Sequence, residues 1–264
     1  MSTPAPAPAS APNAGEVAIQ QRLLAQLLRL AGERMVLVGG QALVFWAAHY
    51  AVPLPTSAVT KDADFLGTPE DVRRIARGLD GQAHYPHEKE LTALAGQVTK
   101  ALPGGDYVNI DVLHRLHGDV SAQAVRARAV MVDADAGQFM VLHPLDVLQG
   151  RLENLYSLRE KQDEHGVAQL ALAIAMIRAF LADEAARAEP EGARRRNALV
   201  LKHLKRIVAL ARCDAGRKVA RRFGLHVADG ITPAVSADLP AFMAKELPLL
   251  RPLMSAAARA AFAG

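Results

Sequence analysis

Residues 35–66 read MVLVGGQALVFWAAHYAVPLPTSAVTKDADFL, and the parsing of this stretch decides the fold. Residues 35–38 form an apolar run short enough for a central strand. Gly39 and Gly40 permit a sharp turn and leave no side chain between the backbone and a ligand. Residues 41–50 then read as a buried helix whose N-terminus faces that turn. After the loop AVPLPTSAVT comes a second short strand carrying Asp62 and Asp64. Side chains alternate across a strand, so both carboxylates share a face. Two carboxylates crowded together need a reason.

Upstream, residues 16–30 place Val17, Leu23, Leu24, Leu27, Leu28 and Leu30 mostly at helical spacing, with Gly32 where a C-cap falls. Downstream, Thr68 and Pro69 form an N-cap and N1 pair, starting a helix that ends near Gly78. Strands are predicted over 82–85, 94–101 and 107–113, the last two joined by the turn Pro103-Gly104-Gly105-Asp106. Ser121 caps a short helix, and 129–132 with 139–142 reads as a hairpin around 133–137. From His143-Pro144 onward the pattern is helical, with breaks near Glu189-Pro190, near Gly224 and between Gly230 and Pro240. The fold class is therefore α+β: a mixed sheet flanked by helices, then an all-α region. The expected organisation is a Pro/Ala-rich disordered tail over 1–15, a domain over 16–142 and a helical domain over 143–264.

Composition is that of an ordinary globular protein, 51% apolar and 22% charged. The single Cys213 excludes an internal disulfide. The start, MSTPAPAPASAPNAG, lacks the basic and apolar regions of a secretory signal, and no apolar run reaches the roughly 18 residues of a membrane span, so a cytoplasmic protein without membrane contact is expected. Charge is uneven. Between Arg194 and Arg222 stand eleven Lys or Arg and a single acid, Asp214, while the whole chain carries only +4. Such clustering suits a phosphate backbone, so an RNA or tRNA acceptor is one reading of this segment; a solvated helix face is the other. His84, His87, His114 and His117 make a weak case for zinc, with no cysteine beside them.

Nucleotidyl transfer needs a triphosphate held in place, hard cations, and an activated hydroxyl. Cations of the Mg²⁺ kind take carboxylate oxygens, and a pair of metals needs a bridging carboxylate pair and a third acid. Asp62 and Asp64 supply the pair. Asp111, in the strand VNIDVL, supplies the third, with Asp106 and Asp119 as nearby alternatives. Gly39, Gly40 and Gln41 would offer donors to the phosphates at a helix N-terminus. Lys61 and Arg151 are candidate phosphate cations, the ordinary alternative for Arg151 being an ion pair with Glu153 or Asp146.

Gly39-Gly40, Asp62-Ala63-Asp64 and the later strand carboxylate Asp111 resemble the signature of the DNA polymerase β-like nucleotidyltransferase superfamily. The wording VLVGGQAL, TKDADFLG and HPLDVLQGRLENL looks closest to the branch of AbiEii-type toxin nucleotidyltransferases. The likeness covers about 35–182. It implies Mg²⁺ or Mn²⁺ as cofactor, an NTP as substrate, metal ligation by Asp62, Asp64 and Asp111, and, by analogy alone, a toxin with an antitoxin protein as partner. A non-catalytic module of the same fold is the rival reading. Departures from the pattern are the long gap between Gly40 and Asp62, Gln41 where many members have Ser or Thr, and the approximate matches Arg151, Arg159, Lys161 and Asp163 in the helical region.

Overall fold

The computed structural model describes residues 15–87, 89–116, 121–187 and 192–263. The Pro/Ala-rich start, the Glu189-Pro190 break, His117 and Asp119 lie outside them. In chain order come α1 (Gln21–Ala31), β1 (Val36–Val38), α2 (Gly39–His49), β2 (Ala63–Leu66), α3 (Pro69–Leu79), β3 (Gln82–His84), β4 (Leu94–Ala101) and β5 (Tyr107–Leu113). They are followed by α4 (Ala122–Arg128), β6 (Val130–Ala134), β7 (Gly137–Val141), α5 (Pro144–Ser157), α6 (Glu164–Ala186), α7 (Ala193–Arg212) and α8 (Asp214–Phe223), then short helical turns to Ala261.

The seven strands make one mixed sheet in the order β3-β4-β5-β2-β1-β7-β6. β2 runs antiparallel to β1 and parallel to β5, and β1 runs parallel to β7. β1 is central and wholly buried, as its three apolar residues require. Its neighbour α2 is apolar nearly all round; it packs on β1 and β2 and is covered in turn by α5 and α6. The indole N–H of Trp46 donates to the Leu142 carbonyl at 2.7 Å, tying α2 to the end of β7. α1 and α3 pack together, against β7 and against β3 and β4 respectively.

Local chemistry sets most boundaries. Thr68 and Asp71 form a reciprocal capping box at the start of α3, with Pro69 at N1. Ser121 caps α4 and His143 caps α5, its Nδ1 accepting from Leu145 N at 3.1 Å. α3 ends at Leu79, close to Gly78 as expected, with Asp80 following in the left-handed conformation, and Gly78 makes room for the side chain of Leu30. Two expectations shift. α1 begins at Gln21 rather than residue 16, because Gly15 and Val17 bond to Tyr107 and Ile19 bonds to the Lys61 carbonyl, which keeps this segment extended. Asp62 lies one residue before β2, in the bend that enters it.

α6 is buried as its Ala- and Leu-rich sequence suggests, with Leu170, Ala173, Met176, Ile177 and Leu181 at or near zero exposure. By length and composition alone this helix could also cross a membrane. More than half of its apolar window, 56%, is buried inside the protein, as in a core helix.

Candidate metal and phosphate site

One row of the sheet assembles the site. Across four neighbouring strands, Gln97 of β4 stands opposite Asp111 of β5, Asp111 opposite Asp64 of β2, and Asp64 opposite Val38 of β1. Residues opposite each other in a ladder have their side chains within about 5.5 Å, so this register alone juxtaposes two carboxylates. Asp62, two residues before Asp64, joins them. One oxygen from each of Asp62, Asp64 and Asp111 lies within 4.8 Å of the others, all three half-buried.

The surroundings hold each carboxylate in place. Thr60 Oγ1 donates to Asp62 Oδ1 at 2.6 Å, and Gln97 Nε2 donates to Asp111 Oδ1 at 2.8 Å, leaving Asp111 Oδ2 unclaimed by Gln97. Asp64 is placed by shape. Gly39 adopts φ +64°, and a Cβ there would overlap the Asp64 carboxylate, so the left-handed turn and the close approach both demand glycine. A Cβ on Gly40 would sit 2.7 Å from Thr60 Cβ. The Gly-Gly turn therefore serves the acids as well as any ligand.

These acids border a cleft of about 450 Å³, whose opposite wall comes from α5, α6 and the turn between them. Gly39 and Gly40 line it, as do Arg151, Lys161 and Gln169. Arg151 Nη1 donates to Gln169 Oε1 at 2.7 Å, while its Nε is buried without a partner. Burial pushes the Asp64 carboxyl up to about 7, with Asp62 and Asp111 adding to the rise and Arg151 and Lys161 opposing it. Asp111 is raised too, chiefly by burial, against the donated hydrogen bond of Gln97. Burial also lowers the Arg151 guanidinium, offset by the fields of Asp64 and Asp62. Among the described residues, no cation is in ion-pair contact with these three acids.

A fourth acid in the same wall is treated differently. Buried Asp146 receives Arg128 in bidentate fashion, Nε and Nη2 both at 3.0 Å, and Arg206 Nη2 on Oδ1. Arg206 also donates to Gln149 at 2.9 Å. These two arginines hold Asp146 below the usual carboxylate range despite its burial.

Of the predicted residues, Asp62, Asp64, Asp111, Gly39, Gly40 and Arg151 converge on this cleft. Gln41 and Lys61 do not line it. Gln41 is only 7% exposed within α2, and Lys61 is exposed while its backbone carbonyl accepts from Ile19. Lys161, which sequence placed only as an approximate family match, contributes the field at Asp64 instead. Arg151 pairs with neither Glu153 nor Asp146. Asp106 is excluded as the third acid, since it sits at the far end of β5 and accepts from Gly15 N at 3.3 Å. Gln97 was missed, yet the hairpin was readable: four residues back from Ala101 and four forward from Tyr107 is the pair Gln97 and Asp111. Among the described residues, the metal-competent cluster is carboxylate rather than histidine.

No protein-family model matches the chain, and no curated protein sequence matches it. Among solved structures it is similar to one described as the crystal structure of JHP933 from Helicobacter pylori, at 12% identity and a TM-score of 0.39, over 87% of this chain and 94% of that one. A likeness that distant says nothing about what this chain does.

Proposed function

We propose that this chain is a nucleotidyltransferase of the DNA polymerase β-like kind, moving a nucleotidyl group from an NTP to a hydroxyl acceptor with Mg²⁺ or Mn²⁺. The observation that carries this reading is the register of β1, β2 and β5, which sets Asp64 between Asp111 and the Gly39-Gly40 turn. The donor set fits hard divalent cations: three carboxylates, no sulfur or imidazole, and an Asp64 raised by burial that has no ion-pair partner among the described residues. When bound, such cations supply positive charge against the triphosphate and acidify the acceptor hydroxyl.

The protein's own part follows from the geometry. Asp62, Asp64 and Asp111 would hold the cations. Asp111 Oδ2, not engaged by Gln97, would take part in accepting the hydroxyl proton. The acceptor oxygen then bonds to the α-phosphorus as the bond to pyrophosphate breaks. Arg151 and Lys161 on the opposite wall offset phosphate charge, and bare backbone at Gly39 and Gly40 lets phosphate oxygens approach the α2 N-terminus. An RNA acceptor suits the exposed cations of α7 and α8, among them Lys202, Lys205, Arg212 and Arg217, although Arg206 is committed to Asp146. Incubation with labelled NTPs, Mg²⁺ and total RNA should label an acceptor, and Asp62→Ala or Asp64→Ala should abolish it. Labelling that persists unchanged in both variants would contradict the mechanism.

A further inference from the structure

The first turns of α6 grip the cleft from two sides. Gln169 is 5% exposed, and its amide orientation is fixed by its neighbours. Arginine can only donate, so Oε1 faces Arg151 Nη1 at 2.7 Å; the Ala58 carbonyl can only accept, so Nε2 faces it at 3.5 Å. One turn earlier, His165 Nδ1 meets the Ser57 carbonyl at 2.6 Å, which requires the proton on Nδ1. Ser57 and Ala58 belong to the 3₁₀ turn Thr56–Ala58, and two residues on, Thr60 holds Asp62 and packs against Gly40. At the helix start, Asp163 caps Gly166 N at 2.8 Å, and a Cβ on Gly166 would overlap the carbonyl of Lys161, so the turn carrying Lys161 seats on that glycine.

We propose that Gln169 is a positioning residue that fixes Arg151, on the phosphate wall, relative to the loop that delivers Asp62, on the acid wall. This role rests on the nucleotidyltransferase reading. Glutamine is the one side chain of its size that both accepts from a guanidinium and donates to a carbonyl. Glutamate would draw Arg151 into an ion pair and face the Ala58 carbonyl with a second acceptor. Leucine would satisfy neither group. The effect on ligands is therefore indirect, and it splits: Arg151 governs the triphosphate, and the 56–62 loop governs the cation site.

A double-mutant cycle separates this role from mere packing. Calorimetry measures binding of Mn²⁺ alone, and of each NTP with Mn²⁺, to wild type, Gln169→Ala, Arg151→Ala and the double variant. Gln169→Glu, nearly the same shape, covers the case in which the alanine variant does not fold. Gln169→Ala should weaken NTP binding about tenfold in the wild-type background and less than about twofold when Arg151 is already gone, the coupling typical of contacting residues. Gln169→Glu should weaken NTP at least as much while Mn²⁺ affinity changes by less than NTP affinity does. Equal losses in both Arg151 backgrounds, or unchanged NTP binding in Gln169→Glu, would overturn the positioning role while leaving the function intact. A wild type that binds neither Mn²⁺ nor any NTP would remove the proposed function and this role with it.

Discussion

Two groups of carboxylates share one cleft and meet opposite fates. Asp146 is buried against two arginines, and its charge is neutralised within the protein. Asp62, Asp64 and Asp111 are also positioned, by Thr60, Gly39 and Gln97, yet among the described residues none of them has an ion pair, and Arg151 and Lys161 act on Asp64 through space. Burial is common to both, so burial alone does not explain the difference in sign. Asp146 lies below the normal carboxylate range and Asp64 well above it. One acid is neutralised within the protein, and among the described residues the other three form a cluster that could hold a metal ion.

The sharpest way to break that contrast is to remove acids one at a time. Asp64→Ala or Asp111→Ala should lower nucleotidyl transfer by about 10³-fold or more, read as initial rate with labelled NTP, because cation ligation is worth several kcal/mol in the transition state. Asp146→Asn should leave transfer within about tenfold at low temperature and instead cost stability. Two partly buried arginines would lose their partner, a penalty of about 2–3 kcal/mol after allowing for their contact with water, visible as a lower urea midpoint.

Acidity sharpens the same contrast. A folded-state value near 7 for Asp64, above the ordinary 3.8, means its contribution to stability is present below about pH 4 and lost as pH rises through 7. Asp64→Asn should therefore stabilise the cation-free protein at pH 8 by about 1–2 kcal/mol, allowing for relaxation around the charge, while abolishing transfer. His143 runs the other way. Burial, His203 and Arg206 hold it at about 4 against an ordinary 6.5, and it caps α5 through an unprotonated Nδ1. The unfolded chain takes up this proton first, so stability is complete above about pH 6.5 and lost as pH falls toward 4. His143→Asn, which retains a capping acceptor, should flatten that slope by about 1 kcal/mol in thermal melts between pH 6.5 and 4.5.

Much of the site was legible because it depends on local sequence and ladder register. The two-residue spacing of Asp62 and Asp64 predicted that they share a face, and the five-residue connection between Ala101 and Tyr107 fixed where Asp111 stands. Sequence neighbours of these residues were less reliable guides. Gln41 and Lys61 adjoin the glycines and the acid pair, but a helix interior buries one and a strand approach exposes the other. Lys161 and Gln169 reach the cleft only because α5 and α6 fold back over α2, and no local pattern encodes that packing. The basic segment was legible as charge alone; that Arg206 serves Asp146 from a distance of 60 positions in the chain depends on the tertiary fold.

The most direct test is a calorimetric titration of the cation-free protein with Mn²⁺ near pH 7, in two buffers of different ionisation enthalpy. An acid triad that binds a cation should take up Mn²⁺ with net proton release, since burial raises the Asp64 carboxyl to about 7, and Asp64→Asn and Asp111→Asn should abolish binding while Asp146→Asn keeps it. Failure of the wild type to bind Mn²⁺, or equal binding by the Asp64→Asn variant, would contradict it.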